Sequence, residues 1–232
     1  WEGVLCESYG VTNWDFDFRG HKRQGDWLAA LGVTARVPHL AWVKMGGESK
    51  RDYPAALDFR SPWYTQYGII EDHLARVSLA MSKGRPVVRL GVLHPIESYW
   101  MLYGPEDQTA LARSEMERRF SELTEWLLSG LMDFDFISEA LLSDIGSVEC
   151  TCIKVGAMTY DAVIVPPLIT IRSTTLSLLK RFMTQGGRVI FLGDLPKCVD
   201  GVRSGAAMAV AETGICLGFE RDRLLTALED LR

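Results

Sequence analysis

Short apolar runs alternate along the chain with longer stretches whose apolar positions recur every three to four residues, as expected of strands alternating with amphipathic helices. The pattern predicts a strand at Gly3 to Cys6, a helix at Phe18 to Leu31, a strand at Val33 to Val37 and a helix over Tyr64 to Met81. Gly32 marks the end of the first helix, Ser61-Pro62 supplies an N-cap and a first-turn proline for the second, and Lys83-Gly84 stops it. Between them, Ala41 to Arg60 is a long loop with Gly46-Gly47 and charges at Glu48, Lys50, Arg51 and Asp52, and loops of that length are usually functional or mobile.

The pattern restarts after Arg85-Pro86. Val87 to Leu93 is a run suited to a strand buried on both faces. A helix at about Asp107 to Leu128 follows, then a short helix near Ser138 to Leu142, strands near Val148 to Ile153 and at Ala162 to Val165, a helix at Thr174 to Thr184, a strand at Arg188 to Leu192 and a last helix at Arg221 to Leu231. Alternating strands and helices predict an α/β protein, with a domain boundary at residues 83/84 and a doubly wound, mostly parallel sheet beyond it.

Composition narrows the function classes. The chain of 232 residues is 47% hydrophobic and 24% charged, enough for a substantial core. A net charge of -5 disfavours nucleic acid or an anionic membrane as partner, and no apolar run reaches the about 18 to 20 residues of a spanning helix. Five cysteines, Cys6, Cys150, Cys152, Cys198 and Cys216, are an odd and scattered set, so reduced thiols and a cytoplasmic rather than secreted setting are expected. Cys150 and Cys152 are expected to share one face of a strand as packing residues. The chain begins at Trp1, within what looks like a strand approach, and is expected to be a fragment of something longer.

The second domain looks catalytically empty. Its first strand ends Leu93-His94-Pro95-Ile96, without the glycine-rich turn of a dinucleotide site, and Ala162 to Val165 runs into Pro166-Pro167-Leu168 where a nucleophile elbow would hold Ser or Cys. His94 and Glu97 lie at a strand end and are expected to serve as capping or interdomain groups, or to line a crevice. Asp133-Phe134-Asp135-Phe136 lacks the ligands of a calcium loop and is expected to be a turn that buries two rings.

The first third is richer. Val4-Leu5-Cys6-Glu7 is an apolar run that ends on a carboxylate, and the next strand ends at His39, followed by Trp42. In a (β/α)8 barrel the reacting groups occupy the carboxyl ends of strands. Glu7 is the candidate catalytic acid, the alternative being a capping or salt-bridged carboxylate. Tyr9, Trp14, His39 and Trp42 are candidates for a sugar-binding wall, since flat aromatic faces bind the apolar side of a pyranose. His39 is equally explained as a structural histidine satisfied by backbone. Asp15 and Asp17 look like acids favouring the helix dipole. Glycoside hydrolysis needs two carboxylates, so the second is expected on a strand before residue 1, and this fragment alone is expected to be inactive.

Cys6-Glu7-Ser8-Tyr9-Gly10, Val37-Pro38-His39, Arg51-Asp52-Tyr53-Pro54, Ser61-Pro62-Trp63, His73-Leu74-Ala75-Arg76-Val77-Ser78, Leu93-His94-Pro95-Ile96-Glu97 and Phe134-Asp135-Phe136-Ile137 occur in an order that resembles large bacterial glycoside hydrolases related to the α-L-rhamnosidases, those of glycoside hydrolase family 106. The resemblance implies that residues 1–83 are the last βα units of a (β/α)8 barrel. It also implies that residues 84–232 are a flavodoxin-like accessory domain similar to class I glutamine amidotransferases. It implies a carbohydrate substrate, Glu7 as a catalytic carboxylate and His39 as a sugar contact. Calcium accompanies the α-L-rhamnosidases, but no calcium ligands can be matched here, and no cofactor is expected. The other reading of the chain is a noncatalytic α/β ligand-binding or oligomerisation module. Two βα units without the rest of a barrel should expose an apolar inner face, and so pack on the second domain, form a homo-oligomer or be partly disordered.

Overall fold

The computed structural model describes residues 3–44, 46–50 and 57–231, with the side chains of residues 49 and 50 left aside; Trp1 and the Arg51-Asp52-Tyr53-Pro54 stretch lie outside them. The chain divides into two compact units, Trp1–Pro86 and Val87–Arg232.

The first unit contains β1 (Val4–Ser8), α1 (Phe18–Ala30), β2 (Val33–Pro38) and α2 (Gly68–Met81). β1 and β2 are parallel neighbours, with Leu5 opposite Ala35 and Glu7 opposite Val37. Asp17 caps α1 by accepting the Gly20 amide at 3.0 Å, so its acid serves the exposed N–H groups of the first turn. α2 begins later than the Ser61-Pro62 signal predicts. Trp63 and Tyr67 pack edge-on against Phe18, and the chain before Gly68 is a 3₁₀ turn at Tyr64–Gln66. Ser61 therefore caps no helix; its carbonyl accepts the Tyr64 amide at 3.2 Å. The two helices meet where Gly25 leaves room for Leu74 and Tyr9, and His73 Nε2 joins Asp26 across the helix pair at 2.6 Å.

The second unit runs through β3 (Leu90–Leu93), α3 (Ile96–Met101), α4 (Glu106–Ser129), β4 (Phe134–Ile137) and α5 (Glu139–Ile145). It continues with β5 (Gly146–Glu149), β6 (Cys152–Val155), β7 (Met158–Tyr160), β8 (Ala162–Val165), β9 (Thr170–Ile171), α6 (Ser173–Thr184) and β10 (Arg188–Leu192), and ends with β11 (Cys198–Val199), β12 (Val202–Arg203), α7 (Ala206–Ala211), β13 (Ile215–Leu217) and α8 (Arg221–Ala227). The central sheet has the order β13-β10-β8-β3-β4, with every pairing parallel. Alternate residues of β3, β8 and β10 enter opposite cores. Leu90, Val92, Ala162, Ile164, Ile190 and Leu192 pack with α4 and α8, whereas Leu93, Val163, Val165, Val189 and Phe191 pack with α6 and α7. Burial on both faces is why these strands are continuous apolar runs in the sequence.

Three local expectations are overturned. The strand drawn through Val148 to Ile153 is an antiparallel hairpin of β5 and β6, because Cys150, at φ 53°, turns the chain. Cys150 and Cys152 hence share no strand face; the Cys152 thiol donates to Asp161 at 3.2 Å. Phe134 to Phe136 form edge strand β4 rather than a turn, since pairing with β3 satisfies their backbone. The first strand of this unit starts at Leu90, not Val87, whose side chain is exposed.

Candidate active site

β1 and β2 run in the same direction, so Ser8 and Pro38 end them side by side, and the His39 amide extends the ladder by donating to the Ser8 carbonyl at 2.7 Å. Paired positions of a parallel sheet share a face, and every second residue along each strand lies on it. Cys6, Ser8 and Arg36, buried or half-buried, lie on one face. Leu5, Ala35, Glu7 and Val37 make up the other face. Leu5 is 65% exposed and Val37 47%, so this apolar face with a carboxylate at its carboxyl end is open.

Glu7 and His39 converge over Gly10. A side chain at Gly10 would lie 3.7 Å from Glu7 Oε1 and 3.5 Å from His39 Cδ2, so glycine keeps the space between them free. His39 Nδ1 is buried with no hydrogen-bond partner among the described residues. The backbone explanation for this imidazole consequently covers its amide and not its ring. Trp42 lies against His39 with ring centroids 5.9 Å apart. Its carbonyl accepts from Arg60, which is paired in turn with Asp58, whose carboxyl the guanidinium holds below its ordinary range.

Two proposed wall residues fall elsewhere. Tyr9 is 1% exposed, its ring packed between Phe16 and His21 and its hydroxyl donating to the His21 carbonyl at 3.3 Å. It offers no face to a ligand and is core. The reason is its left-handed backbone, φ 68°, which turns the side chain inward after the strand ends. Trp14 is 37% exposed but makes no ring contact with the His39–Trp42 pair among the described residues. What sequence reasoning missed is the strain between them. Tyr9, Val11 and Asn13 all have positive φ, which for a bulky or β-branched residue is an outlier of the kind that gathers at functional sites.

His21, fully buried beneath this loop, is a second group without a sequence signal. Its Nδ1 lies 2.8 Å from the Asp17 carbonyl, which assigns the proton there, and Nε2 has no partner among the described residues. Burial lowers its affinity for a second proton, against the smaller opposing effects of Asp17 and Glu71. Unfolded, His21 takes up that proton near the ordinary value of 6.5; folded, it does so only at lower pH. Stability of the first unit is expected to be complete above pH 6.5 and to fall as pH drops below it. An imidazole nitrogen NMR titration checks this, and a His21 midpoint at or above 6.5 would refute it.

Among the described residues no group of three or more His, Cys, Asp or Glu could hold a metal ion. In the second unit His94 packs edge-on to Phe120 and Phe136, and Glu97 pairs with Arg172 at 2.7 Å.

An α/β chain with a parallel sheet, and with a carboxylate and a histidine at adjacent strand ends, has glycoside hydrolases as its structural neighbours. It is similar to a rhamnosidase from Novosphingobium sp. PP1Y over 99% of this chain and 23% of that one, with 17% identity and a TM-score of 0.64. An exo-carrageenase GH42 from Bacteroides ovatus matches over 94% of this chain and 28% of its own, with 14% identity and a TM-score of 0.54. A GH42 β-galactosidase from G. stearothermophilus matches over 76% and 24%, with 16% identity and a TM-score of 0.53. The chain thus spans about a quarter of the length of these structures, and at such identity the likeness is one of fold. No family model and no curated protein sequence matches it.

Proposed function

We propose that this chain is part of a glycoside hydrolase in which β1 and β2 are the last strands of a (β/α)8 catalytic barrel, and in which Glu7 is one of two catalytic carboxylates. The second unit is an accessory α/β domain, similar in our reading to class I glutamine amidotransferases and without chemistry of its own. The observation that carries the proposal is the open sheet face that ends in Glu7, with His39 beside it across Gly10. A face turned away from the helices is the face a barrel turns inward, and its carboxyl end is where barrel enzymes place reacting groups.

In that setting Glu7 acts as base toward a water or as nucleophile toward the anomeric carbon. The partner acid lies on another barrel strand of the parent protein, roughly 5 to 10 Å away. The half-exposed imidazole of His39 donates or accepts a hydrogen bond to a sugar hydroxyl, and the Trp42 ring beside it covers an apolar sugar face. An α-L-rhamnoside is the substrate favoured by the sequence resemblance.

The test is turnover of a panel of aryl glycosides, α-L-rhamnoside included, by the full-length parent and its Glu7→Gln variant. Glu7 is exposed, so the variant should fold, and its kcat should fall by about 100-fold or more. A folded variant as active as the parent makes Glu7 a structural carboxylate. A folded parent that turns over none of the panel sinks the hydrolase reading itself.

A further inference from the structure

The strand order of the second unit creates a crevice that the reaction proposed above does not use. From β3 the chain crosses to β4 on one side, and from β8 it crosses to β10 on the other, so connections diverge between β3 and β8. Open parallel sheets bind ligands at that divergence, outside the carboxyl ends of the strands. Here the loops after β3, β8 and β10, together with one face of α4, border an open cavity of about 370 Å³. That volume suits a small organic molecule.

Its walls specify the chemistry. Leu102, Met116, Phe120 and Leu168 give it an apolar interior. Of the four charged side chains on its lining, three form one ion-pair cluster: Arg119 bonds Glu115 at 2.7 Å and Asp194 at 2.8 Å. Glu115 is held further by Arg118 at 2.8 Å. Lys197 is the fourth, exposed at the rim, with no ion-pair partner among the described residues. An occupant that buries apolar surface inside and brings one negative charge to the rim satisfies both features. Pro166-Pro167 stands where a nucleophile would be, so no acyl-transfer nucleophile follows β8.

We propose that this cavity is a binding site for a small carboxylate with an apolar body, its carboxylate set against Lys197. Octanoate is a suitable probe and octan-1-ol its neutral counterpart. Both are titrated into the 232-residue chain with amide NMR shifts as readout, alongside the Ala112→Trp and Lys197→Glu variants. Ala112 is exposed on the lining, so the indole should fill the cavity without disturbing the core, and thermal melts verify both variants. Expected are saturable octanoate shifts centred on the cavity, their loss in Ala112→Trp, and about tenfold weaker binding for Lys197→Glu and for octan-1-ol. The site is overturned by absence of saturation, by shifts centred elsewhere such as the open sheet face, or by unchanged binding in Ala112→Trp. Equal affinity for the alcohol overturns the anion preference. None of these readouts depends on glycoside turnover, so the cavity and the catalytic proposal fail separately.

Discussion

Replacing Phe182 by Ala should cost the second unit about 3 to 5 kcal/mol, a large share of the 5 to 15 kcal/mol that holds a typical domain folded. Phe182 is completely buried, at the end of α6, where it packs with Leu179, Val189 and Phe191. Its ring lies over Gly187, where a side-chain carbon would come within 2.0 Å of it, and its carbonyl accepts the Gly187 amide at 2.9 Å. The glycine pair that ends the helix therefore also makes the seat for the ring. Truncation removes the ring's transfer energy and leaves a cavity that a β-strand and a helix end cannot close by moving. Urea unfolding followed by circular dichroism should show the transition of this unit displaced to lower urea. A loss below about 1 kcal/mol would mean that the site relaxes freely, and that the core is not packed as described.

The second large effect separates packing from binding at a single residue. Tyr9→Ala should destabilise the first unit by about 3 kcal/mol or more, because the ring fills the space between Phe16, His21 and Gly25. Tyr9→Phe should cost only about 1 kcal/mol or less, since the hydroxyl makes one long bond to the His21 carbonyl. Neither change should alter KM for a glycoside in a parent that still folds. If Tyr9→Ala left stability intact and weakened glycoside binding, Tyr9 would belong to the sugar wall after all. His39 and Trp42 are the contrasting pair, each half-exposed at the strand ends, where substitution should act on binding first.

The sequence by itself determined the order and nature of the main elements. Helices α1, α4 and α6 fall within a residue or so of the stretches their periodicity predicts, and β8 and β10 occupy the apolar runs that burial on both faces demands. These features are local, because each residue's contribution depends on neighbours within a few positions of it. It also singled out Glu7 and His39, as polar residues that end apolar runs. What it could not supply depends on pairing across long separations or on unusual backbone. The β5–β6 hairpin hinges on a left-handed Cys150, and β4 exists because β3 lies beside it. Tyr9 shares its local pattern with a ligand-binding aromatic, and only its positive φ and the packing of α1 send it into the core. The meeting of Glu7 with His39 over Gly10, and the cavity between the ends of β3 and β8, were likewise decided by tertiary structure. Both follow from which strands become neighbours, and strand order is set by the burial of whole sheet faces, a property that no short window of sequence contains.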